Sequence, residues 1–166
     1  DPLDPETTVG PLVTTEQQKQ VLNYIDIGQS EGATLSFGGG VPEDFQGGCY
    51  VEPTLFTGVN NSMRIAQEEI FGPVASVIPV DDVDHALDIA NDSIYGLAAS
   101  IWTSNVNTAH RFARDMDAGI IWVNTYEDGD ATTPWGGFKQ SGNGRDKCLE
   151  ALTQYTQTKS VLLKLA

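Results

Sequence analysis

Two thiols, two imidazoles and one glycine-rich basic loop are the places where this sequence could hold chemistry. Cys49 and Cys148 lie far apart and form no C-x-x-C pair, so they read as reduced thiols of a cytoplasmic protein. His85 and His110 have no metal-type spacing to each other or to a cysteine. Each falls in an expected helix, which gives it a surface or half-buried role. The loop "PWGGFKQSGNGRD", Pro134 to Asp146, follows the apolar run "AGIIWVNT". Glycines and cations after a strand suggest a phosphate cradle, but the spacing refuses it. A dinucleotide fingerprint starting at Gly142 and Gly144 needs a third glycine where Lys147 stands, and the strand ends well upstream. A Walker loop fails at Gly137, followed by Phe138 and Lys139. The loop reads as built for shape, with Gly136 and Gly137 allowing tight turns and Gly142 and Gly144 leading into a helix.

The elements around these residues follow from periodicity. "TTEQQKQVLNYIDIGQSEG" sets Val21, Leu22 and Ile25 at helical spacing, with Thr14 or Thr15 as cap and Gly32 as stop. "ATLSF" is a strand, "GGGVPEDFQGG" a loop and "CYVEPTLFTGV" an extended arm. Val74 to Val80 predicts a strand. "DDVDHALDIAND" predicts a helix with Val83, Ala86, Leu87 and Ala90 inward. "AASIWT" is a strand, and the next helix turns Val106, Ala109, Phe112, Ala113 and Met116 inward up to Gly119. "IIWVN" comes next as a strand. The rhythm predicts βαβαβ with parallel strands, covered on both faces because the strands are almost continuously apolar. "RDKCLEALTQY" reads as a helix and "TKSVLLKLA" as a terminal strand. Ligands of open parallel sheets bind beyond the carboxyl ends of the strands, here from Asn124 and near Thr103. The loop from Thr125 to Lys139 is long enough to be functional.

With 166 residues, 40% of them hydrophobic, the chain can bury one real core. No apolar run is long enough to span a bilayer as a helix, and no secretory signal is visible. A net charge of −14 repels nucleic acid and anionic membranes. It fits a hydrated surface, a salt-rich habitat or a cationic ligand. The first residue is Asp1, and "DPLDPETTVGPL" reads as a connector. The chain is therefore expected to be a piece of a longer protein.

Four motifs occur in one order: "QEEIFGPV" (Gln67 to Val74), "ANDSIYGLAASIWT" (Ala90 to Thr103), "AGIIWVNTY" (Ala118 to Tyr126) and "PWGGFKQSGNGRD". Together they resemble the carboxyl-terminal part of the NAD(P)-dependent aldehyde dehydrogenase family, and the likeness covers essentially the whole chain. The run "YEDGDATTPWGGFKQSGNGRDKCLEAL" is most similar to bacterial enzymes that oxidise γ-glutamyl-γ-aminobutyraldehyde or related aminoaldehydes. The resemblance implies an open, mostly parallel α/β sheet with flanking helices, plus a C-terminal oligomerisation strand. Its divisions are 1–140 for a partial catalytic domain, 141–155 for a helical connector and 156–166 for the strand.

In that family a cysteine thiolate attacks the aldehyde, the thiohemiacetal gives hydride to NAD(P)+, and a glutamate activates the water that releases the acid. The resemblance puts both residues upstream of Asp1, so no catalytic residue is assigned here and the chain alone is expected to be inactive. What it implies for this chain is the wall of a site. Glu69 matches a carboxylate on the nicotinamide ribose, Phe71 an aromatic beside the nicotinamide, and Leu97 an apolar cofactor contact. Trp135 and Gly129 match the substrate entrance, Gly129 falling where some relatives carry a bulky aromatic. Glu127, Asp128 and Asp130 either attract a substrate amine or form a hydrated turn. The implied partners are NAD or NADP, a small aldehyde and further copies of the subunit, without nucleic acid, membrane or metal. Two other readings stand beside this one: a non-catalytic interaction domain of the same descent, and an independent nucleotide-binding protein.

Overall fold

The computed structural model describes residues 1–45 and 47–165. They form two compact units, 1–80 and 81–166. In the first, helix α1 (Thr15–Ser30) begins where the Thr14 hydroxyl accepts the Gln17 N–H at 3.1 Å. It stops before Gly32, whose φ of 97° suits a residue without a Cβ. Strands β1 (Thr34–Phe37), β2 (Thr54–Thr57) and β3 (Val74–Ser76) form one sheet in that order, with a short helix α2 (Arg64–Gln67) between β2 and β3. β1 runs antiparallel to β2, and β2 runs parallel to β3 with Thr54 opposite Val74. Val21 and Ile25 of α1 are sealed against Phe56, Ile65 and Ile70. The extended arm of the sequence reading is thus a strand, and β2, α2 and β3 make a short β-α-β unit that periodicity missed.

The second unit contains α3 (Val83–Asn91), β4 (Tyr95–Gly96), β5 (Ala98–Ile101), α4 (Val106–Asp115), β6 (Ile120–Val123) and β7 (Phe138–Lys139). Asp82 caps α3 by accepting the His85 N–H at 2.9 Å, and Asn105 caps α4 through the N–H groups of Asn107 and Thr108. β5 and β6 are parallel, with Ser100 opposite Trp122, and β4 pairs with β7 antiparallel. Leu87, Phe112, Met116 and Ala118 are the buried core.

Several expectations change here. The single βαβαβ sheet is not found: β3 pairs with β2, and only β5, α4 and β6 realise the repeat. The strand from Val74 ends at Ser76, although the Val77 N–H still donates to the Phe56 carbonyl at 2.9 Å. Val106 and Ala113 are exposed: Val106 opens α4, ahead of the turns that pack. The side chains of β5 and β6 are mostly half-buried rather than covered, Trp122 excepted. The helix expected over Arg145 to Tyr155 is a 3-10 turn, Glu150–Tyr155, since Lys147 and Cys148 take left-handed backbone conformations that interrupt it. Residues 156–165 carry no helix or strand, and Val161, Leu162, Leu163 and Leu165 are exposed. Ala166, the last residue of the expected strand, lies outside the described residues, as does Gln46 of the early loop.

The glycine loop is indeed a matter of shape. Gly119 sits so close to the loop that a Cβ there would overlap the Gly136 carbonyl, and a Cβ on Gly136 would overlap that of Gly144. The Gly119 N–H meanwhile donates to Gly96 and Leu97 carbonyls. Backbone packs on backbone, and no phosphate is needed to account for the glycines.

One polar cluster ties α1 to α2. Arg64 forks the Glu68 carboxylate with two bonds of 2.8 Å, and the Tyr24 hydroxyl donates to it at 2.7 Å. The guanidinium first, then the phenol, holds the Glu68 carboxyl down from an ordinary 4.5 to about 2. A depressed carboxylate stabilises the fold above its unfolded value, and this contribution fades as pH falls through the folded one. Thermal unfolding followed by circular dichroism from pH 5 to pH 2 tests this. Wild type should lose more Tm than Glu68→Gln between about pH 4.5 and about pH 2.

Candidate functional site

In the first unit the candidate residues lie on the segment that leaves α2. Two consecutive glutamates sit there, and the geometry separates their roles. The backbone is extended at Glu68, so its neighbour points the other way. Glu68 is held by Arg64 and Tyr24, whereas Glu69 is exposed. Ile70 then turns into the core and Phe71 turns out, 72% exposed at a φ of 56°. That left-handed backbone is costly for a side chain with a Cβ. It is held by Gln17, whose amide donates to the Ile70 carbonyl at 3.3 Å and the Phe71 carbonyl at 2.9 Å. The result is a presented carboxylate two residues from a presented aromatic ring. A carboxylate can accept two hydrogen bonds from a vicinal diol, and a ring can cover a planar heterocycle. Gln17 was missed by sequence reading, because an amide on a helix surface carries no local signal of a carbonyl 53 residues away.

In the second unit Trp122 organises the loop after β6. Its indole is buried and donates to the Asp128 carbonyl at 2.7 Å. Its ring lies 5.4 Å from Tyr126 and 5.8 Å from Trp135, centroid to centroid. The loop therefore wraps around one side chain. Asn124 starts it at a φ of 56°, bonding back to both backbone groups of Thr103. The ends of β5 and β6 are thus tied together, and the loop from Thr125 onward is free to form a wall.

That wall encloses a cavity of about 350 Å3. Trp135, Gly129, Glu127 and Asp128 line it, together with Ile120, Trp122, Thr133 and Lys147. Asp130 is not in the lining. Its carboxylate turns into its own loop, accepting from the Thr132 N–H at 2.8 Å and the Thr132 hydroxyl at 2.6 Å. Those two bonds, with a smaller contribution from the Lys147 charge, hold its carboxyl below the usual range. Lys147 is the residue sequence reasoning missed: its ammonium lies 5.5 Å from the centre of the Trp135 ring. Leu97 borders a second, smaller cavity of about 260 Å3, shared with Trp135, Gly136, Gly137 and Ser141.

Neither thiol lines the cavity described above. Cys49 meets the Thr15 hydroxyl at 3.6 Å, which cannot remove its proton. Cys148 lies 3.9 Å from the Asp146 carbonyl and also bonds the Glu150 carboxylate, away from that cavity. Among the described residues no group of three His, Cys, Asp or Glu could hold a metal, and no helix is long and apolar enough to cross a membrane.

Known proteins resemble this chain in sequence and fold. An aldehyde dehydrogenase family model matches residues 1–161. A betaine aldehyde dehydrogenase of Mesorhizobium japonicum is 50% identical over 99% of this chain and 34% of its own length. Among solved structures, an indole-3-acetaldehyde dehydrogenase in complex with NAD+ is 58% identical with a TM-score of 0.93, over 99% of this chain and 33% of that one. The aldehyde dehydrogenase KauB from Pseudomonas aeruginosa is 57% identical, also with a TM-score of 0.93 and the same coverage. The chain spans about a third of the length of these relatives. Its sequence and its fold agree, and the chain belongs to the aldehyde dehydrogenase family.

Proposed function

We propose that this chain is the carboxyl-terminal portion of an enzyme that oxidises an aldehyde to its carboxylic acid with NAD(P)+. The observation that carries the reading is the division of labour between Glu68 and Glu69. One carboxylate is locked into the fold, and the next is presented beside an exposed Phe71. Glu69 and Phe71 suit the ribose and the nicotinamide face, and Leu97 is the further apolar contact on this reading. The dinucleotide, when bound, supplies the hydride acceptor. Glu69 and Phe71 orient that acceptor, and the cavity under Trp122 and Trp135 receives the aldehyde's far end.

Within that activity we assign the substrate as an aminoaldehyde, of which γ-glutamyl-γ-aminobutyraldehyde is one. Support comes from Glu127 and Asp128, two acidic residues among those lining the cavity where a substrate tail would end. Asp130, used by Thr132, belongs to the loop's own turn and adds only to the field. The exposed apolar residues 161–165 suit a strand that pairs with another copy of the subunit, in a cytoplasmic homo-oligomer. Loss of chemistry in a binding domain of the same descent is the other reading, and it predicts no turnover even in the longest natural chain containing these residues.

Three measurements test the proposal. The 166-residue chain alone should form no NADH from any aldehyde, since neither thiol lines the cavity assigned to the aldehyde. NADH formation abolished by a Cys49 or Cys148 substitution would refute this. In the enzyme containing this chain, Glu69→Gln should slow hydride transfer in single turnover more than it weakens cofactor binding, because it acts on position. Unchanged single-turnover rates would remove Glu69 from the site. Third, kcat/KM for 4-aminobutanal should exceed that for pentanal by roughly tenfold, about 1.4 kcal/mol. The double change Glu127→Gln and Asp128→Asn should erase most of that ratio. Equal constants in the wild type would leave the acidic loop as a hydrated turn.

A further inference from the structure

The cavity's one cation has no place in a simple amine pocket. Lys147 lines the same wall as Glu127 and Asp128, yet none of the ion pairs among the described residues includes it. Its ammonium instead lies over Trp135. A monoamine entering this space gains from Glu127 and Asp128 but finds the Trp135 face already taken by Lys147.

Lys147 is also held where it is by its neighbours. Asp146 and Trp135 exchange backbone bonds, Asp146 N–H to Trp135 at 2.6 Å and Trp135 N–H to Asp146 at 3.0 Å. On the other side the Cys148 N–H donates to the Ala131 carbonyl at 2.8 Å. Between these two anchors the backbone of Lys147 takes a φ of 58°, a conformation that favours glycine. A lysine is thus kept at a place where its backbone is strained, and backbone strain is characteristic of positions whose side chain has a task. The anchors tie the backbone at Lys147 to Trp135 and to Ala131 of the acidic loop, and the side chain reaches over the Trp135 ring.

We propose that Lys147 is a specificity-determining residue that binds a carboxylate on the far end of the substrate, so that the cavity takes a zwitterionic tail. The ammonium of that tail faces Glu127 and Asp128, and its carboxylate faces Lys147. This deepens the aminoaldehyde reading and rests on that cavity being the substrate's. Cavities of this size with a few convergent polar groups are typical of small-ligand sites. A ligand bearing both charges engages both walls, whereas a cation or an anion alone engages only one.

The test uses two readouts. Quenching of Trp122 and Trp135 fluorescence in the 166-residue chain reports binding of L-norvaline, butylamine and pentanoate, three tails of similar size that differ in charge. L-norvaline should bind at least tenfold more tightly than either of the others. Lys147→Gly, which removes the charge while easing the backbone, should abolish that preference; Lys147→Arg should keep it. In the enzyme containing this chain, the kcat/KM ratio of an aldehyde with a zwitterionic end to pentanal should fall at least tenfold with Lys147→Gly and recover with Lys147→Arg. Equal binding of the three probes, or a Lys147→Gly ratio equal to wild type, overturns the role of Lys147 while leaving aldehyde oxidation standing. An enzyme that oxidises no aldehyde, with the norvaline preference intact, overturns the proposed activity and keeps the binding site.

Discussion

A buried indole must find an acceptor for its N–H, and the candidate substrate wall follows from how Trp122 meets that demand. The Asp128 carbonyl meets it, bringing the loop back over β6 at 2.7 Å. Once that bond forms, Tyr126 and Trp135 fall against the same ring, and the residues between them have little freedom left. Glu127 takes a left-handed backbone and Gly129 an even more open one, at φ values of 53° and 135°. Glu127 and Asp128 come to border the cavity because this stretch of loop is drawn over Trp122. The polar wall is the outside of a hydrophobic decision.

The first unit solves its problem differently. There the apolar residues of α1, β2 and α2 make the core, and the functional segment is stretched across its edge. Extended geometry alternates side chains, so Ile70 anchors while Glu69 and Phe71 project. Side-chain amide and guanidinium bonds then lock the backbone. Each unit therefore uses long-range polar bonds to fix a short segment whose local propensity would not hold it.

Much of this was legible in the residues. Helical spacing placed Val21 and Ile25 in a core, Asp82 as a cap, and the long helix up to Met116, because those signals are local and repeat every turn. Motif likeness, not periodicity, pointed to Glu69 over Glu68; nothing in the tandem itself says which will be held. Short strands such as β2 and β4 were hidden because a few residues carry no period. Lys147 was read as part of a helix, since its left-handed backbone arises from two hydrogen bonds to residues far upstream. Asp130 looked equivalent to Asp128 until Thr132 claimed it.

The tandem glutamates carry one more implication. Their roles depend on counting from α2, since Arg64 reaches the residue four positions on and the extended backbone at Glu68 turns the next residue the other way. Replacing Glu68 leaves Glu69 where it was. Removing either glutamate is a different event: the survivor becomes the partner of Arg64, Ile70 moves to the solvent face and Phe71 to the core side. The segment is thus written in length as much as in letters. Its evolution should tolerate exchanged side chains and exclude insertions or deletions between Gln67 and Gly72, the reverse of the usual behaviour of an exposed loop.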